Sequence, residues 1–489
     1  MKKKIVIVGG VAGGATAAAR LRRLSEEDEI VLVEKGEYIS FANCGLPYYI
    51  GEVITNRDAL LVQTVEGMSR KFNLDIRNLS EVVEINRDRN TVSIKKVATG
   101  EIYEDSYDKL ILSPGARPIV PPLAGLSEAE NVFTLRNVPD TDRIKAWVDE
   151  KSPKDAVIIG GGFIGLEMAE NLHHRGVNVT VVELGDQVMA PIDYEMASLV
   201  HRELRSEGVE LYLNDGVKEF KHDGRTIVLQ SGREITSDLT ILSIGVRPEN
   251  ELAQKAGLSL GDRGGIVVNS HLQTDDPDIY AIGDAIEVKD FVQGTPAMIP
   301  LAWPANRQGR LAADHINGKD AAYNGSLGTS VAKVFDLTVA ATGNNEKVLK
   351  RLEFIPMKRS CISRPASNAA YRWKLQMVNP VNMAGYVAGN VVDGDLSIVH
   401  HHEIDEIVKK GGYLIDVREP EEVEAGFITG AVNIPLGELR ERLQELPNQH
   451  IYVNCQVGLR GYLATKILTN NGFEASNLSG GYKTYMLGK

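Results

Sequence analysis

Two cysteines stand where a thiol can do chemistry. Cys44 lies in Ser40-Phe-Ala-Asn-Cys-Gly-Leu-Pro-Tyr48, a polar run with glycine and proline that reads as a loop rather than a core strand. Cys455 lies in Asn454-Cys-Gln-Val-Gly-Leu-Arg-Gly461, after the apolar run Ile451–Val453 and before a helical pattern. The thiolate is the sulfur nucleophile, and a strand-loop-helix turn offers backbone N–H groups to hold one. Arg460 adds positive charge at the end of that loop. The third cysteine, Cys361, sits in a stretch with no strand or helix period, and we assign it no role. Three scattered cysteines make neither a disulfide framework nor a four-thiolate zinc site, so no metal centre is expected. They fit a reducing compartment.

The second kind of chemistry is carried by glycine turns. Gly160-Gly-Gly162-Phe-Ile-Gly165 fits G-x-G-x-x-G between the strand-like Ala156–Ile159 and the helix-like Leu166–His174. Such glycines allow a tight turn and close approach of a pyrophosphate, and the helix N-terminus supplies donors. Glu183, 18 residues beyond Gly165, ends the next strand, Val179–Glu183. A carboxylate there accepts from a ribose 2′-hydroxyl and repels a 2′-phosphate, so NADH is preferred over NADPH. The first such turn, Gly9-Gly10-Val11-Ala12-Gly13-Gly14, has Val11 in place of the middle glycine. It too leads into a helix-like run, Ala15–Leu24, and Glu34, 20 residues after Gly14, ends the strand Ile30–Glu34. A third turn, Ile279-Tyr-Ala-Ile-Gly283-Asp284, resembles the segment of flavoprotein disulfide reductases that closes the flavin domain, which implies that the first unit resumes after the second. Two nucleotide units and a glycine–aspartate turn point to FAD and NADH meeting in one chain.

These turns need elements to position them. Two strand-turn-helix-strand units predict an α/β fold with two Rossmann-like domains. We place a discontinuous FAD-binding domain at 1–150 and 251–325, with an NAD(P)-binding domain inserted at 151–250. The stretch Thr329–Thr342 alternates like strands, whereas 352–377 follows no template. The resemblance to those reductases implies that together they form a shortened α+β interface region at 326–390. The last 90 or so residues, 400–489, alternate helix and strand patterns as an independent α/β domain: the acidic helix Glu403–Lys410, the strand Tyr413–Glu419, the helix-like Gly437–Leu446, the strand before Cys455, and a helix at Tyr462–Leu468.

Bulk composition is consistent with this. A chain of 489 residues suggests about three domains. The hydrophobic share of 43% and charged share of 25% are those of a globular protein. A net charge of -12 argues against a nucleic-acid partner. No apolar run reaches the roughly 18 residues of a membrane span. The basic start, Met1–Lys4, precedes an apolar run of only Ile5–Val8, which we read as a first strand rather than a secretory signal. A cytoplasmic location is the expectation.

The segments VGGVAGGATAAARLRRLSE, EYISFANCGLPYYIG, LILSPGARP, IYAIGDAIEV and PLAWPANRQGR resemble the single-cysteine branch of the flavin- and pyridine-nucleotide-dependent disulfide reductases. Within it the chain resembles coenzyme A-disulfide reductases fused to a rhodanese domain, some of which act as NADH-dependent persulfide or polysulfide reductases. Upstream Leu414–Glu419 and Gly430–Pro435 strengthen the rhodanese likeness of the Cys455 loop, with Asp416 and Arg418 expected to hold it. The resemblance implies that Cys44 alternates between thiolate and mixed disulfide or persulfide. It implies that Ser40 and Asn43 orient the incoming sulfur, and that Arg20, Arg22, Arg23 and Lys71 meet the anionic coenzyme A. Gly115 joins Gly9, Gly10, Ala12, Gly13, Gly14, Glu34, Gly283 and Asp284 at the flavin; Gly160, Gly162, Gly165 and Glu183 hold the nicotinamide nucleotide. Cys455 would carry sulfane sulfur and pass it to coenzyme A or another small thiol.

The departures are informative. Related peroxidases carry a histidine in the first glycine turn, where this chain has Val11-Ala12. A water-forming NADH oxidase remains an alternative, and so does a reductase-impaired flavoprotein that works as a sulfur-carrying rhodanese module. The resemblance implies a homodimer with partner tyrosines near Cys44. Asn379-Pro-Val-Asn-Met383 is present, but the tyrosine-rich segment expected before it is not, so Tyr371 receives no catalytic role.

Overall fold

The computed structural model describes residues 2–351, 360–363 and 396–487. Apolar strands without alternation demand cover on both faces, and the chain meets that demand three times with parallel sheets. In the first unit the strand order is Ile279–Ala281, Lys109–Leu112, Lys4–Val8, Glu29–Val33, Asp75–Arg77. In the second it is Glu210–Leu213, Asn178–Glu183, Asp155–Ile159, Leu239–Leu242, Val132–Phe133. Ile5, Val6 and Ile7 of one unit and Val157 and Ile158 of the other are fully buried. The predicted α/β architecture is therefore observed.

The first unit is discontinuous. Ile279 pairs with Leu110, so the strand before the glycine–aspartate turn returns to the edge of the first sheet. The helix Ala302–Ile316 then lies against the helix Ala12–Leu24. The seam is made of small residues: a Cβ on Gly309 would come within 2.3 Å of the Gly13 carbonyl oxygen. Thr16 Oγ1 donates to Asn306 Oδ1 at 2.6 Å across it.

The second unit begins earlier than expected. Its edge strand is Val132–Phe133, and Trp147 of the helix Val138–Lys151 donates to the Asp238 carbonyl at 3.1 Å. The two chain crossings run side by side where Ala116–Pro118 pairs with Val246–Pro248. The entry to the second unit is thus near residue 119 rather than 151. A two-residue edge strand is too short to show a period in sequence.

The hairpin Ser330–Val334 and Leu337–Ala341 forms as the alternation predicts, and Ser360–Ser363 pairs with its second strand. It is tied to the second unit. Lys333 pairs with the buried Glu170, Phe335 N–H donates to Glu170 Oε2 at 3.1 Å, and Asp336 N–H donates to Glu203 Oε1 at 3.1 Å. Tyr371 and Asn379–Met383 lie outside the described residues.

The C-terminal domain has the parallel order Ile398–Val399, Ala475–Leu478, Ile451–Asn454, Tyr413–Asp416, Ala431–Asn433. One expectation fails here. Gly437–Leu446 is a series of turns with a short 3-10 segment, Leu443–Glu445, not a helix. Its leucine spacing imitates a helical face, but it serves to bury Leu439 and Leu446 under a turn braced by Arg442 on Glu438 and Glu445. The helix after Cys455 runs Leu459–Asn470, longer than expected at both ends.

Among the described residues no helix is long and apolar enough to cross a membrane.

Candidate active site

The two glycine turns solve one backbone problem twice. Gly9 and Gly160 take φ of +98° and +104°, a region that disfavours side chains. A Cβ on Gly14 would lie 1.9 Å from the Gly9 carbonyl oxygen, and one on Gly165 2.0 Å from the Gly160 oxygen. Glu34 accepts from the N–H groups of Gly10 and Gly36, both at 2.7 Å. Glu183 accepts from Gly161 at 2.7 Å and Gly185 at 2.8 Å. Each acid therefore spends one lone pair per oxygen on stiffening its loop and keeps another for a ribose hydroxyl. A Cβ on Gly162 would meet nothing within 4 Å, which leaves the open approach a pyrophosphate needs. Its counterpart is Val11, whereas Gly13 corresponds to the partly exposed Ile164 and packs against Ile282, Ser113 and the Ala305 carbonyl. Ala12 opens the first helix, where its N–H faces the turn end.

The other residues expected at the flavin converge from distant sequence. Gly115, at φ +79°, lies under Arg136, whose Nη2 would be 2.5 Å from an added Cβ. Gly283, at φ +80°, donates its N–H to Gln308 Oε1 at 2.7 Å. Burial pushes the neighbouring Asp284 carboxyl up, against the pull of Arg136. Enclosed acid, nearby guanidinium and glycine-lined turn fit a dinucleotide whose ribityl and pyrophosphate groups bring hydroxyls and negative charge. Ser113 and Gln308 lie within the segments LILSPGARP and PLAWPANRQGR, whereas Arg136 carries no sequence signal of its own.

Cys44 is exposed, in the short turn Asn43–Gly45 before the helix Leu46–Ile50. Pro47 sits in the first turn of that helix, where its missing N–H costs nothing. Ser40 is held at φ +44°, a left-handed value for a non-glycine residue. Its N–H donates to the Gly10 carbonyl at 2.9 Å, and its own carbonyl accepts from Val62 at 2.9 Å. The thiol loop is thereby tied to the flavin turn. Ser40 is buried and Asn43 partly exposed beside the thiol. The loop packs its Phe41, Leu46 and Ile50 with the second unit's Leu166, Met168 and Leu172.

The four basic residues named from the sequence divide. Arg22 is buried and donates to the carbonyls of Phe72, Ser25, Glu26, Asp28 and Asn73, at 2.7 to 3.1 Å. It stitches the first helix to the helix Val65–Phe72; its place is scaffold rather than ligand contact. Arg20 is buried against Asp314 at 2.6 Å, across the helix seam. Arg23 and Lys71 face the C-terminal domain. Arg23 lies 6.0 Å from the Phe72 ring and 5.9 Å from the Tyr462 ring. Arg440 bridges the domains, donating to Glu26 at 2.8 Å and to the Lys71 carbonyl at 3.2 Å.

Cys455 is buried, and the Gly458 N–H approaches its Sγ at 3.1 Å. Gly458 takes φ +96°, which lets the loop fold back over the sulfur before the helix starts. Beneath it Arg418 and Asp416 form a buried pair at 2.7 Å. Arg418 also donates to Gln456 Oε1 at 3.1 Å, and Tyr482 stacks on its guanidinium at 4.3 Å. These two residues hold the loop, as expected from the sequence. Arg460 makes a two-point pair with Glu422, at 2.5 and 2.7 Å, which holds that carboxyl below its usual range.

Comparison with known proteins gives these sites a setting. The pyridine nucleotide-disulphide oxidoreductase family matches residues 3–309, and the rhodanese-like domain matches residues 400–487. A coenzyme A disulfide reductase of Staphylococcus haemolyticus is 36% identical over 357 residues, covering 72% of this chain and 79% of that protein. The reduced Bacillus anthracis CoADR-RHD structure is 54% identical, with 99% and 98% of the two chains covered and a TM-score of 0.73. An NAD-dependent persulfide reductase structure from A. fulgidus is 32% identical, with coverages of 98% and 99% and a TM-score of 0.71. A paired set of nucleotide turns, one exposed thiol moored to the first of them and one buried thiol in a loop cradle thus share one chain, which belongs to the FAD- and NAD(P)H-using pyridine nucleotide-disulphide oxidoreductases and carries a C-terminal rhodanese-like domain.

Proposed function

We propose that this chain uses NADH to reduce coenzyme A disulfide, or coenzyme A persulfide and polysulfide, through the single redox cysteine Cys44, while Cys455 carries sulfane sulfur. The observation that carries this reading is the exposed Cys44 on a loop anchored by the Ser40 N–H to the Gly10 carbonyl of the flavin turn. Bound FAD supplies the relay of an electron pair from the reduced nicotinamide to sulfur.

The thiolate of Cys44 attacks one sulfur of coenzyme A disulfide. A Cys44–coenzyme A disulfide forms and one coenzyme A thiolate leaves. Two electrons then cleave that bond, restore the Cys44 thiolate and free the second coenzyme A. With a persulfide, attack on the terminal sulfur frees coenzyme A, and reduction releases hydrosulfide. Asn43 and Ser40 position the incoming sulfur, and Lys71 and Arg23 hold the phosphates of coenzyme A. Glu183 favours NADH, because a 2′-phosphate beside its carboxylate meets like charge. The coenzyme A disulfide reductases and the persulfide reductase named above support this reading. A reducing cytoplasm suits both free thiols, and a homodimer follows from the resemblance.

The test is anaerobic. NADH should bleach the flavin absorbance of FAD-loaded protein, and coenzyme A persulfide or disulfide should restore it, with sulfide or coenzyme A released. A Cys44→Ser variant should bleach but not recover. If neither sulfur substrate restores the colour and oxygen alone does, the chain is an NADH oxidase instead.

A further inference from the structure

Cys44 is exposed, so its position depends on what holds the chain on either side of it. The turn Asn43–Gly45 runs directly into the helix Leu46–Ile50, with Gly45 as the N-cap. Ahead of the turn, Ser40 is moored to the flavin-binding unit. Behind it, the second unit takes over. Arg175, the C-cap of the helix Phe163–His174, donates through Nη1 to the Ile50 carbonyl at 2.9 Å and through Nη2 to Asp149 at 2.7 Å. It thereby satisfies a carbonyl at the end of the thiol's helix with a charged donor. Gly51 follows against the fully buried Asn171: a Cβ there would lie 2.2 Å from Asn171 Oδ1. Lys145 pairs with Glu52 at 3.1 Å and with Asp149 at 3.0 Å. Arg57 makes a two-point pair with Asp142, at 2.9 and 2.6 Å. Asp142, Lys145 and Asp149 all belong to the helix Val138–Lys151 of the second unit.

We infer that Arg175 is a positioning residue for the Cys44 thiol, acting with the close approach of Gly51 to Asn171, so that the second unit fixes where the sulfur stands. This rests on the reading of Cys44 as the redox thiol. The helix Phe163–His174 has Gly162 of the nucleotide turn as its N-cap and Arg175 as its C-cap. Nucleotide and thiol are therefore referenced to the two ends of one helix, although Cys44 belongs by sequence to the flavin-binding unit. The apolar contacts of Phe41, Leu46 and Ile50 with Leu166, Met168 and Leu172 are non-directional and tolerate sliding. The Arg175 fork is directional, because Asp149 holds one arm while the other grips Ile50. Removing the guanidinium leaves the apolar contacts and the Lys145–Asp149 pair in place, so the unit stays folded while the thiol's helix loses its stop. A displacement of about 1 Å at a reacting atom costs on the order of a hundredfold in rate.

The experiment follows both half-reactions of the full-length, FAD-loaded protein anaerobically: bleaching by NADH, then recovery of the flavin colour with coenzyme A disulfide over a range of concentrations. Arg175→Met should keep its flavin and bleach within about twofold of the parent rate, while its maximal recovery rate falls about tenfold or more and its half-saturating disulfide concentration changes less than about threefold. Arg175→Lys, which offers a point charge in place of a two-partner fork, should fall between the two. Gly51→Ala, which drives the helix off Asn171, should slow recovery in the same way. Parent-like recovery in both Arg175→Met and Gly51→Ala would overturn the inference while leaving Cys44 as the redox thiol. Bleaching and recovery that fall together with loss of flavin would overturn it too, because they mark a structural role alone. Failure of the parent to recover, or recovery that survives Cys44→Ser, would overturn the reading of Cys44 and this inference with it.

Discussion

The two nucleotide turns are near copies that differ at three of their six positions: Val11 against Gly162, Ala12 against Phe163 and Gly13 against Ile164. Both begin on a positive-φ glycine, both close a later glycine onto the first glycine's carbonyl, and both hang the loop on an acid through two N–H groups. In the second turn Gly162 is open and Ile164 is partly exposed; in the first these places are Val11 and Gly13. The difference lies in what covers the helix. The first helix is flanked by the returning helix Ala302–Ile316, whose Gly309 sits on the Gly13 carbonyl, so small residues are demanded along that seam. At the second helix Ile164 is partly exposed instead, and the close packing falls on Gly161 against Val188 and on Gly165 against Ser243. The departure at Gly13 in the first turn is therefore explained by helix–helix packing.

This contrast can be broken most severely at the shared contact. Gly14→Ala and Gly165→Ala each press a Cβ into a backbone carbonyl, at a cost of about 3 kcal/mol. Gly14→Ala should purify without flavin and with a lowered Tm. Gly165→Ala should keep its flavin and fail to bleach with NADH, as absorbance spectra would show. Next in size are the acids. Glu183→Ala should weaken NADH about tenfold and NADPH less, narrowing the preference measured by titration, because the 2′-hydroxyl acceptor is lost along with the negative charge. Glu34→Ala should instead speed flavin dissociation. A finer probe is Gly162→Ala, which meets nothing within 4 Å and should leave the Tm unchanged while raising the KM for NADH several-fold. Changing Val11 to alanine should leave flavin retention close to the parent.

The smallest effect is one of pH. Burial pushes His201 below its ordinary 6.5, with Arg205 acting the same way and Asp186 opposing. Its Nε2 accepts the Val188 N–H at 3.2 Å, on the loop that follows Glu183. The neutral ring's contribution is fully present above the unfolded value of about 6.5 and is lost as pH falls through the lower folded value. NADH affinity should decline on acidification while flavin retention stays flat, and His201→Gln should flatten the decline. Flavin loss in parallel with NADH affinity would show that the two units do not respond separately.

Much of this was legible in the sequence, and the reason is local. Glycine turns, terminal acids and the Cys455 loop are backbone devices whose parts lie within a few dozen residues. Contacts made from afar were not legible. Arg22 looks like any exposed helical arginine until its donors are seen on carbonyls of two segments. Ser40 gives no hint of its left-handed backbone or of its bond to Gly10. Val132–Phe133 is too short to announce that it joins the second sheet, and the leucines of Gly437–Leu446 imitate a helix while burying a turn.

The return of Ile279–Ala281 and Ala302–Ile316 to the first unit has a consequence for how the chain is made. During synthesis the N-terminal strands emerge first, yet their sheet lacks an edge and their helix lacks its partner until residue 316 has left the ribosome. The inserted unit, complete once Leu239–Leu242 is out, is free to fold before the unit that surrounds it. The early apolar strands must wait for their partners through roughly three hundred residues of translation, and that interval is when a chaperone or a misplaced strand has its opportunity.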